Sequence, residues 1–217
     1  MKKLGLVVLM EGAQAALFVA VAGRWDVPWF WAMLGIHAVI LVLMVTTIDP
    51  DLLKERLRPG PGAKDPYVRK LLTPLFLAYY VVAALDIGRF HWSGTVPAPI
   101  HLAGLVGYTL GLGLVYWAMR TNRFFSMVVR LQTDRGHRVV STGPYGFVRH
   151  PGYAGIVFAV ACGAVAMGSW WSLVALVPAI GFLIWRTGME DRFLHEKLDG
   201  YDAYAGHVRS KLVPGLW

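Results

Sequence analysis

A single cysteine, Cys162, rules out an internal disulfide, and its place inside an apolar run leaves the redox compartment unmarked. Charge is sparse as well: 16% of the 217 residues are Asp, Glu, Lys or Arg, against 56% that are apolar. With a mean hydropathy of +0.51, that balance excludes an ordinary water-soluble domain. No hydrophilic stretch is long enough to fold alone, so one membrane domain over 1–217 is the simplest organisation. No serine stands in a Gly-x-Ser-x-Gly elbow, which removes the commonest hydrolase reading. The seven histidines show no metal-ligand spacing, and His195-Glu196 lacks the second histidine of a zincin helix, so no metal is expected.

Long apolar runs are what the chain does have. A bilayer crossing needs roughly 20 residues at about 1.5 Å each. Six runs qualify: 4–22, 29–48, 71–87, 100–119, 153–167 and 170–185. The last two are short, about 24 Å of helix each. The Gly168-Ser169 break between them predicts a tight helical hairpin in preference to one helix of unusual length. The expected fold is therefore an all-α, polytopic membrane helical bundle of about six spans. Spans one to three occupy 1–98, and a more motif-rich part occupies 99–217.

Charge placement supports the same count. Lys2 and Lys3 precede the first run, and basic residues crowd 49–70, 120–149 and the region after 185. The intervening connections carry only Arg24, only Arg89, or none. By the positive-inside rule, both termini and both long connections are expected in the cytoplasm. The net charge of +8 then reflects topology and contact with anionic lipid, with no nucleic-acid partner implied. The first residues imitate a secretory signal, with Ala13-Gln14-Ala15 as a cleavage-like site. Glu11 interrupts the core and the apolar run continues past it, so the segment is read as a retained span.

Between the runs, 49–66, with Pro-Gly-Pro-Gly at 59–62, reads as a polar connector whose charges are solvated. Gly107-x-x-x-Gly111 in span four predicts close approach of a neighbouring helix. Glu11 and His37 fall inside spans one and two, where one interhelical polar contact is the expected reading. Beyond 185 the chain turns amphipathic, with Met189, Phe193 and Leu194 at helical spacing. It reaches a helix stop at Gly200 and begins a short helix at Tyr201, a tail suited to the interface.

The stretch 137–153, HRVVSTGPYGFVRHPGY, is the densest chemistry in the sequence. A mere linker between helices is usually shorter and blander. Pro151 suits a first helical turn, whose free N–H groups and positive dipole end favour a carboxylate. Tyr145 and Tyr153 offer ring faces for a cation such as a sulfonium, or form part of an interfacial aromatic belt. Arg186 and Glu190 stand at i, i+4 on one helix face, either as a solvated ion pair or as a second part of the same site. A hairpin of spans five and six would let them meet 137–153.

Taken together, His137-Arg138-Val139-Val140, Gly143-x-Tyr145, Arg149-His150-Pro151-x-Tyr153, Arg186-x-x-x-Glu190-Asp191 and Tyr201-x-x-Tyr204 resemble the isoprenylcysteine carboxyl methyltransferase family, which is related to membrane phospholipid N-methyltransferases. The resemblance covers about the last hundred residues. It implies S-adenosylmethionine as cofactor, held at the cytoplasmic face by His137, Arg138, Val139, Val140, Tyr145, His150, Pro151, Gly152, Tyr153 and Glu190, with Gln132 as a further contact. It implies that Arg186 faces the acceptor and orients its carboxylate, so that Arg186 and Glu190 are the expected catalytic pair. The acceptor would be a lipid-like molecule in the bilayer, methylated on a carboxylate. The alternatives are phospholipid N-methylation, a lipid or sterol reductase using reduced nicotinamide dinucleotide, and a non-enzymatic membrane subunit. Spans one to three carry no motif of the family.

Overall fold

A computed structural model describes residues 2–62 and 67–217. The described residues form helices joined by turns and loops, with no strand among them. Helix α1 runs Lys2–Ala22 and α2 runs Pro28–Thr47; a short α3, Pro50–Leu57, follows at once. Helix α4, Tyr67–Leu85, ends in a π-helical turn at Asp86–Phe90, and α5 spans Ala98–Thr121. A long connection with two 3₁₀ turns, Thr133–Arg135 and Gly143–Gly146, leads to α6 (Pro151–Met167), α7 (Trp170–Lys197) and α8 (Tyr201–His207). Among the described residues, five helices are long and apolar enough to cross a bilayer, and α6, with 17 residues, is a shorter apolar helix. The protein is a multi-pass helical membrane bundle. Leucines and valines such as Val8, Val39, Leu110 and Val177 face outward, as lipid-facing positions should.

The break at Gly168-Ser169 is a hairpin turn. Gly168 takes the left-handed conformation, φ 76°, that ends α6, and the Ser169 side chain accepts from the Ser172 N–H to start α7. The second leg does not stop near 185. Helix α7 continues for 28 residues, so the amphipathic stretch is its own last turns.

Helices α5 and α6 touch backbone to backbone, and glycine makes this possible. A Cβ on Gly104 would lie 2.3 Å from the Ala166 nitrogen, on Gly107 2.4 Å from Cys162 Sγ, and on Gly111 2.6 Å from the Ala159 nitrogen. Gly155 on α6 answers with only 2.8 Å to the Gly111 carbonyl. Small residues let membrane helices gain dispersion contact where the hydrophobic effect offers none. Between α1 and α2, Glu11 Oε1 lies 2.9 Å from His37 Nδ1, the expected interhelical contact.

One expectation is corrected. The connector 49–66 is not a plain solvated loop, because it contains α3. Asp49 caps that helix by accepting from the Asp51 N–H at 2.8 Å, and Pro50 sits in its first turn. Glu55 on α3 is buried and binds Arg130 through both carboxylate oxygens, at 2.7 and 2.8 Å. The final residues of the connector, 63–66, lie outside the described residues.

At the opposite end of the bundle, Asp86 is fully buried. It accepts from the Ser93 N–H at 2.8 Å and from the Ser93 and Ser169 hydroxyls at 2.5 and 2.6 Å. These bonds tie the end of α4 to the hairpin turn and satisfy a carboxylate that burial would otherwise penalise.

Candidate functional site

The two polar clusters singled out in the sequence face one cavity at the end of the bundle that holds α3, α8 and the 122–150 connection. It is lined by Gln132, His137, Arg138, Val139, Val140, Tyr145, His150, Gly152, Tyr153, Arg186 and Glu190. Pro151, the remaining residue of that set, is buried in the helix start and does not line the cavity.

At its centre the Tyr153 hydroxyl donates to Glu190 Oε2 at 2.7 Å and accepts from Arg186 Nε at 2.7 Å. Arg186 also donates to the Met127 carbonyl at 2.8 Å and is only 1% exposed. Arg186 and Glu190 are thus joined by a partly buried, directional chain of hydrogen bonds through Tyr153, with the Arg186 end shielded from solvent. Helix spacing supplies part of this arrangement, because i and i+4 share a face of α7. The hairpin supplies the rest by laying the first turn of α6 against that face.

Helix α6 starts where His150-Pro151 predicts, with His150 at the N-cap position. Proline has no N–H to lose there, and helix geometry leaves the N–H groups of Gly152 and Tyr153 without intrahelical partners. Gly152 is required by a neighbour, since a Cβ would sit 2.2 Å from the Phe125 ring.

Behind the cavity wall, Asp191 collects the loops. Arg149 grips both its oxygens, at 2.8 and 3.0 Å, and the Tyr201 hydroxyl donates to Oδ1 at 2.9 Å. His150 Nε2 lies 3.3 Å from Oδ1, and Lys211 Nζ lies 3.6 Å from Oδ2. Arg149 further donates to the Val208 and Arg209 carbonyls, while its backbone N–H and that of His150 donate to the Ser210 and Lys211 carbonyls. The Tyr204 hydroxyl donates to the Tyr145 carbonyl at 2.7 Å. The tail thus straps down the segment that precedes α6. Asp191, Arg149, Tyr201 and Tyr204 carry part of the family-like motif in the sequence, but no local signal announced this bracing.

Gln132 is 1% exposed. Its amide donates to the Phe124 carbonyl at 2.7 Å and accepts from Arg135, so both ends are engaged within the connection. His137 Nδ1 accepts from the Gln132 N–H at 3.3 Å, and its ring packs on Phe124. Burial, reinforced by the nearby Arg130 and Arg135 charges, lowers the His137 pKa to about 4, so the ring is neutral at pH 7. Burial likewise raises the Tyr145 phenol above its ordinary range.

Sequence reasoning missed what the N-terminal half contributes. Arg56 of α3 and Val68, Leu72 and Phe76 of α4 line the same cavity, beside Ile156 and Leu183. The polar part of the cavity therefore opens onto an apolar part whose walls come largely from α4.

Residues 99–199, from α5 through α7, match the phospholipid methyltransferase family, the group of membrane methyltransferases that includes the isoprenylcysteine carboxyl methyltransferases. No curated protein matches the chain. The matched segment holds Gln132, the whole of 137–153, Arg186 and Glu190; α1 to α4, α8 and the tail lie outside it.

Proposed function

We propose that the cavity binds S-adenosylmethionine and that the protein methylates a carboxylate on a membrane-embedded, isoprenylcysteine-type acceptor. The observation that carries this reading is the Arg186–Tyr153–Glu190 chain, set inside the segment that matches a membrane methyltransferase family. The residues fit such a cofactor. Among the described residues lining the cavity, Glu190 is the sole carboxylate, suited to an ammonium group. The free N–H groups at the start of α6 suit a carboxylate, and the Tyr145 and Tyr153 rings suit a sulfonium. His137 to Val140 form the adjoining wall.

When bound, S-adenosylmethionine supplies a methyl group already activated by its sulfonium. The protein's own contribution is position and dryness. Glu190 is held by the Tyr153 hydroxyl in one orientation, and Tyr153 is held in turn by Arg186. Arg186 offers a fixed positive charge toward which an acceptor carboxylate orients. A carboxylate arrives ionised, so no group need remove a proton. The apolar wall of Val68, Leu72, Phe76 and Ile156 accommodates a lipid chain while the acceptor's head lies among polar groups. The positive-inside pattern of the sequence supports a cytoplasmic position for this end of the bundle, where a water-soluble donor is available.

Phospholipid N-methylation is the second reading. An amine acceptor must shed a proton, and Glu190, which shares the Tyr153 hydroxyl with Arg186, is the cavity carboxylate available to take it. Incubating membranes that contain the protein with radiolabelled methyl donor separates the two. Label released by base as methanol marks an ester; label retained on a lipid amine overturns the carboxylate reading. Calorimetry of the purified protein with S-adenosylhomocysteine and with NADPH separates both readings from a reductase. Failure to bind the first compound refutes the methyltransferase proposal altogether.

A further inference from the structure

Arg56 lies outside every motif of the sequence and outside the family match, yet its side chain lines the cavity. Its neighbours are aromatic. The guanidinium stands 5.2 Å from the centre of the Phe125 ring, and among the described residues its one hydrogen bond is a long one, 3.4 Å to the Phe125 carbonyl. A guanidinium carries five N–H donors, so most of its capacity is unspent. Among the described residues no carboxylate pairs with it. The adjacent Glu55 is committed to Arg130 through both oxygens, and Asp134 is held by the same arginine. Glu190 is engaged by Tyr153. Burial lowers the Arg56 pKa to about 10, and only the Tyr145 and Tyr153 phenols act the other way. It remains a cation at pH 7 in a setting that raises its demand for an anion.

The location narrows what the anion belongs to. Arg56 sits on α3, and the next helix, α4, supplies Val68, Leu72 and Phe76 to the apolar wall. One part of the chain thus provides a cation and, next along the sequence, a greasy track. The Glu55–Arg130 clamp fixes α3 to the connection that also lines the cavity, so Arg56 is presented from a braced helix.

We infer that Arg56 is a substrate-selecting residue that binds the anionic head of the amphiphilic acceptor, a carboxylate or a phosphate, while the acceptor's chain runs along α4. The inference rests on the methyltransferase reading only in calling the ligand an acceptor.

The test titrates the purified full-length protein by calorimetry with two matched pairs of amphiphiles. In the first pair, N-acetyl-S-farnesylcysteine is set against its neutral methyl ester. In the second, lysophosphatidic acid is set against the neutral monoacylglycerol. The expected result is that the anionic member of at least one pair binds about tenfold or more tightly, the span of a hydrogen bond to a charged group. The pair that discriminates identifies carboxylate or phosphate as the anion. Arg56→Gln lowers that ratio severalfold, leaving what Arg186 contributes, and Arg56→Lys, which keeps the charge without the fork, lowers it less.

The inference is overturned if the native protein prefers neither anion, or if the ratio is undiminished in both variants. It is also overturned if Arg56→Gln weakens S-adenosylhomocysteine binding and leaves the amphiphile ratio intact, since Arg56 would then serve the donor. If S-adenosylhomocysteine does not bind but the Arg56-dependent anion preference is present, the methyltransferase reading fails and this one stands.

Discussion

Replacing Asp191 with Asn changes one oxygen for one nitrogen and nearly nothing in volume, so the variant isolates the charge. In the native protein Asp191 is 3% exposed and holds Arg149, itself 9% exposed, through a two-pronged ion pair. Breaking a buried pair by neutralising one partner costs about 3–5 kcal/mol, because the remaining charge is stranded away from water. Two features bear on where in that range the loss falls. Arg149 keeps its bonds to the Val208 and Arg209 carbonyls, which softens the loss, whereas the Lys211 ammonium at 3.6 Å loses its partner too. These offsets leave an expected loss of about 3 kcal/mol, near the lower end. For a chain of this size that corresponds to a midpoint lower by about 6–12 °C. Tryptophan fluorescence of the detergent-solubilised protein follows the transition. A second substitution decides between charge and packing: Arg149→Met in the Asp191→Asn background removes the stranded cation and should recover much of the stability. S-adenosylhomocysteine affinity should stay low in both, because His150 faces a neutral amide in place of the carboxylate either way. A single variant within about 0.5 kcal/mol of the native protein would refute the bracing role, as would a double variant whose losses simply add.

Four further outcomes are expected. Arg186→Ala should depress use of the acceptor more than affinity for S-adenosylhomocysteine, and equal damage to both in paired kinetic and calorimetric measurements would show its role to be misassigned. Tyr153→Phe deletes the hydroxyl shared by Arg186 and Glu190, and a loss of roughly tenfold or more in the methylation rate is expected for a bond to charged groups; an unchanged rate would sever the chain from the chemistry. Gly111→Ala should destabilise the α5–α6 contact by about 1–3 kcal/mol through overpacking, whereas Gly113→Ala, where a Cβ meets nothing within 4 Å, should cost nothing in the same thermal assay. His137 is half-buried and neutral, with its pKa lowered from 6.5 to about 4. Its contribution is therefore complete above the unfolded value and fades as pH falls from about 6.5 toward 4, and a stability profile over that window should flatten in His137→Phe.

What the sequence revealed and what it hid divide along a physical line. The spans were legible because a bilayer demands unbroken apolar length, and the hairpin was legible because Gly168 and Ser169 are a stop and a start placed side by side. The close packing of α5 on α6 could be read from Gly107 and Gly111, since few other reasons place glycines four apart in a membrane helix. Helix α3 escaped although its signals were present. Asp49 and Pro50 form a cap and a first turn, but the prolines and glycines at 59–62 drew the whole segment into a loop. Asp191 and Asp86 escaped for another reason. Their partners lie as far as 42 and 83 residues away, and no local pattern encodes such a meeting. Arg56 combines both difficulties, on an unrecognised helix and among partners such as Phe125, 69 residues on.

The same line separates the two halves of the cavity. On the proposed reading, the wall built from 132–153 and from α7 serves a donor of fixed chemistry, which demands particular side chains at particular spacings and so leaves a motif. The wall from α3 and α4 asks only for one cation and a run of apolar surface, a demand that many sequences satisfy and none advertises. If the acceptor is selected there, exchanging Leu72 and Phe76 for smaller apolar residues should shift the preferred chain length of the amphiphile and leave S-adenosylhomocysteine affinity untouched. A matched loss of donor binding would place those residues in the donor's site and remove the division.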